Sequence, residues 1–312
     1  MSTGSLLILG GSGFLGKHLQ RLAPDGFLAP RSAELDLLDL DACVRYFEQH
    51  RPDSVIHAAG FVGGIGLNKE NPGRMAVENL RMGLNVLEAA ARAKLPHVLV
   101  VSTVCVYPKD APIPTKEDSM WEGAPAEDTM PYGAAKRMLH TVADGLHRQY
   151  GLGYTYVIPT NLYGPGDHFD EAKSHVVPAL LKRADETRRA GHSELVVWGD
   201  GTQTRDLLYV EDAAKGVLQI ALGPSANDAF NLSSNRETSV RELAESICKV
   251  TGFNGELVWD TSKPGGAPRR GLDGSKTRER FGFVAETGLE EGLRQTYNWY
   301  LENVAQGSAV SG

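Results

Sequence analysis

Leu6-Leu7-Ile8-Leu9-Gly10-Gly11-Ser12-Gly13-Phe14-Leu15-Gly16 decides the fold. A short apolar run ends in glycines spaced G-x-x-G-x-x-G and opens a segment of helical character. A strand that turns on glycine into a helix lets backbone N–H groups approach an anion, and the helix N-terminus adds positive potential. The plainer alternative is a tight structural turn. Placement between strand and helix favours a dinucleotide pyrophosphate site.

Working outward, apolar runs at Ser54–His57, Val98–Ser102, Tyr154–Ile158, Leu195–Trp198 and Phe230–Leu232 alternate with amphipathic segments of helical length. Runs without polar alternation predict strands buried on both faces of a parallel sheet. One helix is expected from the Asn71-Pro72 start to about Ala93, with Asn71 as N-cap and proline at the first helical position. A second runs from near Pro131 to Tyr150, and a third follows Asp212. This rhythm predicts an α/β fold, a doubly wound parallel Rossmann sheet with a smaller C-terminal substrate lobe. The expected division is residues 1–165 plus roughly 203–222 for the dinucleotide domain, and 166–202 with 223–312 for the lobe.

A chain of 312 residues with 23% charged and 41% hydrophobic residues is globular. A net charge of −7 without a dominant basic face argues against nucleic acid, while leaving room for a local basic cluster that binds a phosphorylated small molecule. Cys43, Cys105 and Cys248 are widely separated, with no C-x-x-C or Cys/His metal spacing, so no metal is expected and a reducing, cytoplasmic setting fits. Neither a signal peptide nor a membrane-spanning segment is expected.

No acidic residue stands where an NAD ribose would need one; Arg31-Ser32 precedes Glu34-Leu35-Asp36-Leu37 instead. An arginine there pairs with a 2′-phosphate, which favours NADP(H) over NAD; a solvated surface arginine is the alternative. Asp36 either contacts adenine or caps the next helix.

Tyr132-Gly-Ala-Ala-Lys136 places a phenol and an ammonium four residues apart, on one face of a helix. An ordinary phenol titrates near ~10. A neighbouring ammonium is expected to lower that value and fit the group for proton exchange at a carbonyl. Alone, the spacing also describes an amphipathic pair. Thr103 follows a predicted strand, and Ser102 is expected to point the other way. Cys105 is either a small buried hydrophobe or, with an ordinary thiol value near ~8.5, an acid–base group beside a ketone. His175 is either structural or a second proton carrier.

The pattern Y-x-x-x-K resembles the extended short-chain dehydrogenase/reductase superfamily. Phe61-Val-Gly-Gly-Ile-Gly-Leu-Asn68, Cys105-Val-Tyr-Pro-Lys109, Pro159-Thr-Asn-Leu-Tyr-Gly-Pro165, Ser174-His-Val-Val-Pro-Ala-Leu-Leu181, Val197-Trp-Gly-Asp-Gly-Thr202 and Ser262-Lys-Pro-Gly-Gly266 resemble, within it, the GDP-L-fucose synthase family, the GDP-4-keto-6-deoxy-D-mannose 3,5-epimerase/4-reductases. The resemblance implies that Cys105 and His175 invert C3 and C5, that Thr103 and Tyr132 steady the developing oxyanion, and that Tyr132 and Lys136 serve NADPH-dependent reduction at C4. It implies cofactor contacts from Gly10, Gly13, Phe14, Leu15, Gly16, Arg31, Asp36, Leu37, Lys136, Pro159, Asn161, Leu162 and His175. It implies substrate contacts from Thr103, Asn161, Arg183, Trp198, Arg205 and Lys263, and a homodimer formed through the Asn71–Ala93 and Pro131–Tyr150 helices. Arg205 has a second reading, an ion pair with Asp206 or Glu211. Val104-Cys105 stands where dehydrating relatives carry Asp-Glu, which argues against dehydration. Thr103 replaces the usual serine, leaving open a related epimerase or reductase of another 4-keto nucleotide sugar, such as a GDP-heptose or dideoxyhexose. A non-catalytic dinucleotide sensor is the reading from a different class.

Overall fold

The apolar runs are the strands of one parallel sheet. The computed structural model describes residues 5–170, 174–262 and 267–305. Strand β1 (Leu6–Leu9) leads through α1 (Phe14–Leu22) and α2 (Leu40–His50) to β2 (Ser54–His57), then through α3 (Ile65–Glu70) and α4 (Pro72–Arg92) to β3 (His97–Val101), and through α5 (Met130–Tyr150) to β4 (Gly153–Pro159). There follow β5 (Asn161–Tyr163), α6 (Val176–Arg189), β6 (Glu194–Trp198), β7 (Thr204–Tyr209), α7 (Val210–Ala221) and β8 (Ala229–Leu232). The chain continues with β9 (Glu237–Ser239), α8 (Val240–Thr251), β10 (Glu256–Asp260), β11 (Arg269–Arg270), α9 (Ser275–Phe281) and α10 (Leu289–Tyr300).

The main sheet has the order β1-β2-β3-β4-β8, all parallel, with Leu9 opposite His57 and Val101 opposite Val157. Beyond β1, Leu28 adds a short bridge, exchanging bonds of 2.8 Å with Ile8 N–H and Leu6 C=O. The chain thus leaves β1 to one side and returns as β2 on the other. Strand order reverses at that point, where a crevice opens beyond the carboxyl ends. Alternate residues of the sheet enter two cores. Leu7, Leu9, Val55 and Val98 pack with α2, α4 and α5; Leu6, Ile8, Ile56 and Leu99 pack with α1 and α7. Burial on both faces is why these strands lack polar alternation.

A third core joins α6, α8 and α10 with β6 and β7, forming the smaller lobe. Its strands form two small sheets: β10-β6 pair, and β7 holds β5, β11 and β9. The expected division needs correcting here. Ala229–Leu232, assigned to the lobe, is β8 of the main sheet, and Thr204–Tyr209, assigned to the dinucleotide domain, lies in the separate small sheet. Two helix starts also differ. Asn71 holds the N-cap position of α4, but its amide donates back to Leu67 O at 3.3 Å and caps nothing. Helix α7 begins before Asp212, whose carboxylate instead accepts from the N–H groups of Glu286 and Thr287.

Candidate active site

The glycine turn meets the requirements of a pyrophosphate cradle. Gly10 has φ +90°, and a Cβ there would sit 2.5 Å from Ala59 N; a Cβ on Gly16 would sit 2.0 Å from Gly10 O. Only glycine permits this packing of turn, helix and neighbouring loop. Gly13 is the N-cap of α1 and supplies no side-chain bond, so the first-turn N–H groups of Phe14, Leu15 and Gly16 point outward as donors. The residues present therefore fit a dinucleotide. Arg31 is exposed on the loop past Leu28. Asp36 accepts from Leu38 N at 2.9 Å, and Asp39, not Asp36, caps α2 through Ala42 N at 3.0 Å. Leu37 packs on the core and accepts from Asn85 at 2.8 Å.

Across the reversal point, the loop after β2 is pinned by Asn79, which accepts from Phe61 N at 3.0 Å and donates to Phe61 O at 2.9 Å. Gly60 of this loop faces Lys136: a Cβ there would lie 3.6 Å from Nζ. The Lys136 ammonium donates to Val101 O at the end of β3, 3.2 Å away, and is 3% exposed. Burial lowers its pKa from the ordinary lysine value to about 8. Beneath it, Ser102 donates to Tyr156 OH at 2.5 Å, and Tyr156 donates to Lys136 O at 2.7 Å, fixing this turn of α5.

Tyr132 lies one helical turn earlier and is 7% exposed. Its hydroxyl is hydrogen-bonded to Thr103, and Cys105 is its neighbour. Thr103 caps a short 3₁₀ turn, Val104–Val106, by accepting from Cys105 N at 3.2 Å. Helix α5 approaches this turn backbone to backbone at Gly133. Burial, rather than the ammonium, dominates at the phenol. Burial pushes the Tyr132 pKa well up, with the Cys105 and Tyr156 charges adding to the rise, so the group holds its proton. That state suits a proton donor in a reduction.

Thr103, Cys105, Tyr132 and Lys136 are thus brought together at the carboxyl edge of the sheet. His175 is not joined to them by the described contacts. It is the N-cap residue of α6 and is exposed. Pro159 ends β4 and Leu162 lies partly buried on the α1–α7 core. Asn161 donates to Asp206 O at 3.2 Å. In the lobe, Arg183 donates to Val196 O at 3.1 Å and lies 5.8 Å from the centre of the Trp198 ring, which is 52% exposed. Arg205 donates to Thr204 O and Ala267 O. Of the two carboxylates considered for it, Glu211 bonds Arg21 and Asp206 accepts from Ser233 and Ser234. Lys263 lies outside the described residues.

Sequence reasoning missed three features. Cys105, Lys109, Arg269 and Arg270 line a shallow, open cleft. Burial first, and the like charge of Arg270 second, lower the Arg205 pKa. The pair Arg269-Arg270 was visible as a basic doublet. Asn79 and Arg137 gave no signal beyond lying on predicted helices.

The sequence pattern of the NAD dependent epimerase/dehydratase family matches residues 6–233. The chain belongs to that family. It is 38% identical to a probable GDP-L-fucose synthase 1 of Oryza sativa subsp. japonica, over 96% of this chain and 93% of that one. It is 36% identical to the GDP-L-fucose synthase of Escherichia coli (strain K12), over 97% and 98%. A crystal structure of a GDP-L-fucose synthetase from Naegleria fowleri bound to NADP superposes with a TM-score of 0.89 at 30% identity, covering 98% of this chain and 95% of that one. As a member of the epimerase/dehydratase family the chain is an NADP-dependent nucleotide-sugar epimerase/reductase. Among its described residues no helix is long and apolar enough to cross a membrane.

Proposed function

We propose that this chain carries out NADPH-dependent 3,5-epimerisation and 4-reduction of GDP-4-keto-6-deoxy-D-mannose, giving GDP-L-fucose. One observation carries the reading: the buried Tyr132 phenol, hydrogen-bonded to Thr103 and neighboured by the Cys105 thiol, stands one turn of α5 before the buried ammonium of Lys136. The resemblance in sequence to GDP-L-fucose synthases over most of the chain supports it.

A ketone at C4 acidifies the protons on C3 and C5. Cys105 removes a proton from one face and His175 returns one to the other, while Thr103 and Tyr132 donate hydrogen bonds to the enolate oxygen. NADPH, when bound, supplies the hydride for C4. Tyr132 gives its proton to the C4 oxygen, and Lys136 holds the nicotinamide ribose and restores the phenol. Gly10, Gly13 and Gly16 with the N–H groups of Phe14 and Leu15 hold the pyrophosphate; Arg31 holds the 2′-phosphate; Asp36, Leu37, Pro159, Asn161 and Leu162 complete the cofactor site. Arg205, with Arg270 added to the expected set, balances the substrate diphosphate, Arg183 and Trp198 flank the base, and Asn161 also lines the sugar pocket. We extend the proposal to a cytoplasmic homodimer formed through α4 and α5, which expose Val77 and Met138.

The test follows NADPH absorbance with GDP-4-keto-6-deoxy-D-mannose, alongside UDP- and dTDP-linked 4-keto sugars. Decay with the GDP sugar, and deuterium uptake at C3 and C5 that Cys105→Ser slows, is the expected result. Tight NADPH binding with no decay on any ketone makes the chain a dinucleotide sensor and overturns the reading. Decay confined to another sugar moves the substrate.

A further inference from the structure

The turn that carries Cys105 is weakly held by its own bonds. Cys105 N reaches Thr103 Oγ1 at 3.2 Å, Val106 N reaches Thr103 O at 3.2 Å, and Tyr107 N reaches Val104 O at 3.3 Å, all at the long end of the hydrogen-bond range. Like any short helical turn, it ends in carbonyls without internal partners. Its place relative to Tyr132 is set from outside.

The outside grip comes from α5, the helix that bears Tyr132 and Lys136. Arg137 donates through Nε to Val106 O at 3.0 Å and through Nη2 to the same oxygen. Its Nη1 donates to Gly123 O at 2.8 Å, and its guanidinium lies 5.7 Å from the centre of the Trp121 ring. A helix-surface arginine ordinarily extends into water. Here three donors of a rigid fork are committed to two backbone carbonyls from two segments, as charge-assisted bonds. Val106 is the residue directly after Cys105. With Gly133 packed close against the Cys105 carbonyl, the turn is bonded to this helix at one carbonyl and touches it at the one before.

We propose that Arg137 is a positioning residue for the thiol of Cys105. It fixes the turn in register with the phenol five residues earlier on the same helix, so that base and proton donor address the same ketone. The inference rests on the function proposed above. It separates the two half-reactions: Tyr132 and Lys136 ride on the helix and keep their places without Arg137, whereas Cys105 rides on the turn and does not.

The experiment measures deuterium exchange at C3 and C5 of GDP-4-keto-6-deoxy-D-mannose in D2O with NADP+, so that no reduction intervenes. Wild type must exchange; if it does not, the proposed function fails and Arg137 is not the cause. In Arg137→Met the exchange kcat is expected to fall about 10²-fold, the loss typical of a displacement near 1 Å. NADPH affinity stays at the wild-type value, and Arg137→Lys recovers part of the rate. Exchange at the wild-type rate in folded Arg137→Met overturns the proposal. So does an equal loss of exchange and NADPH affinity, which marks a general structural role. Should the Met variant not fold, Arg137→Gln, too short to reach Val106 and Gly123 together, is read by the same two criteria.

Discussion

A methyl group on Gly133 would lie 2.2 Å from the carbonyl oxygen of Cys105. The helix that presents the phenol and the turn that presents the thiol therefore meet at their backbones. Alanine is the better helix former by about 1 kcal/mol, yet a contact this short against backbone cannot relax by rotating a side chain. Gly133→Ala is expected to lower both thermal stability and C3/C5 exchange. A rise in Tm with full activity would show that the turn yields.

Tyr132→Phe removes the hydroxyl bonded to Thr103 and little else. The expected loss in kcat for NADPH oxidation is about 10²–10⁴-fold, the usual contribution of a general acid. NADPH affinity, measured by fluorescence titration, is expected to stay unchanged. Unaltered turnover would remove Tyr132 from the chemistry.

Lys136 makes the reaction sensitive to alkali. Its pKa is lowered from the ordinary value of 10.5 to about 8, so the free protein loses the ammonium well before an exposed lysine would. The expected profile of kcat/KM is a descent as pH rises through about 8. A descent beginning only above 10 contradicts it. Stability moves oppositely: between about 8 and 10.5 the unfolded chain binds more protons than the folded one, so this group's contribution to unfolding free energy rises with pH.

Asp167 is 5% exposed; His168 N donates to its Oδ1 at 2.7 Å, and Oδ2 has no hydrogen-bond partner. Burial raises its pKa to about 7. The folded chain then holds a proton that the unfolded chain releases from about 3.8 upward, so stability falls as pH rises toward 7. Asp167→Asn keeps the acceptor and removes the charge. A higher Tm at pH 8 with none of the gain at pH 4 is expected; the same shift at both values would point to packing instead.

The main sheet was legible because its strands are buried on both faces, and an unbroken apolar run such as Leu6–Leu9 or Val98–Val101, followed by a turn, fits a central strand best. Strands β5, β9 and β11 were not legible because they are brief, and β7 because it opens on the polar Thr204-Arg205-Asp206. Tyr132 and Lys136 could be read from helical spacing, and Thr103 and Cys105 from position after a strand. The charge state of the phenol could not. Spacing shows the ammonium beside it, whereas depth decides the outcome, and sequence does not give depth. Arg137 stays silent in the sequence although it adjoins Lys136, because its partners, Val106 and Gly123, become neighbours only through the packing of α5 against two loops.

Arg31 is exposed on a loop at the rim of the sheet. Under the proposed reading it holds the 2′-phosphate that distinguishes the coenzymes, and its exchange would leave the packed interior untouched. On that reading, coenzyme preference in this protein is separable from foldability.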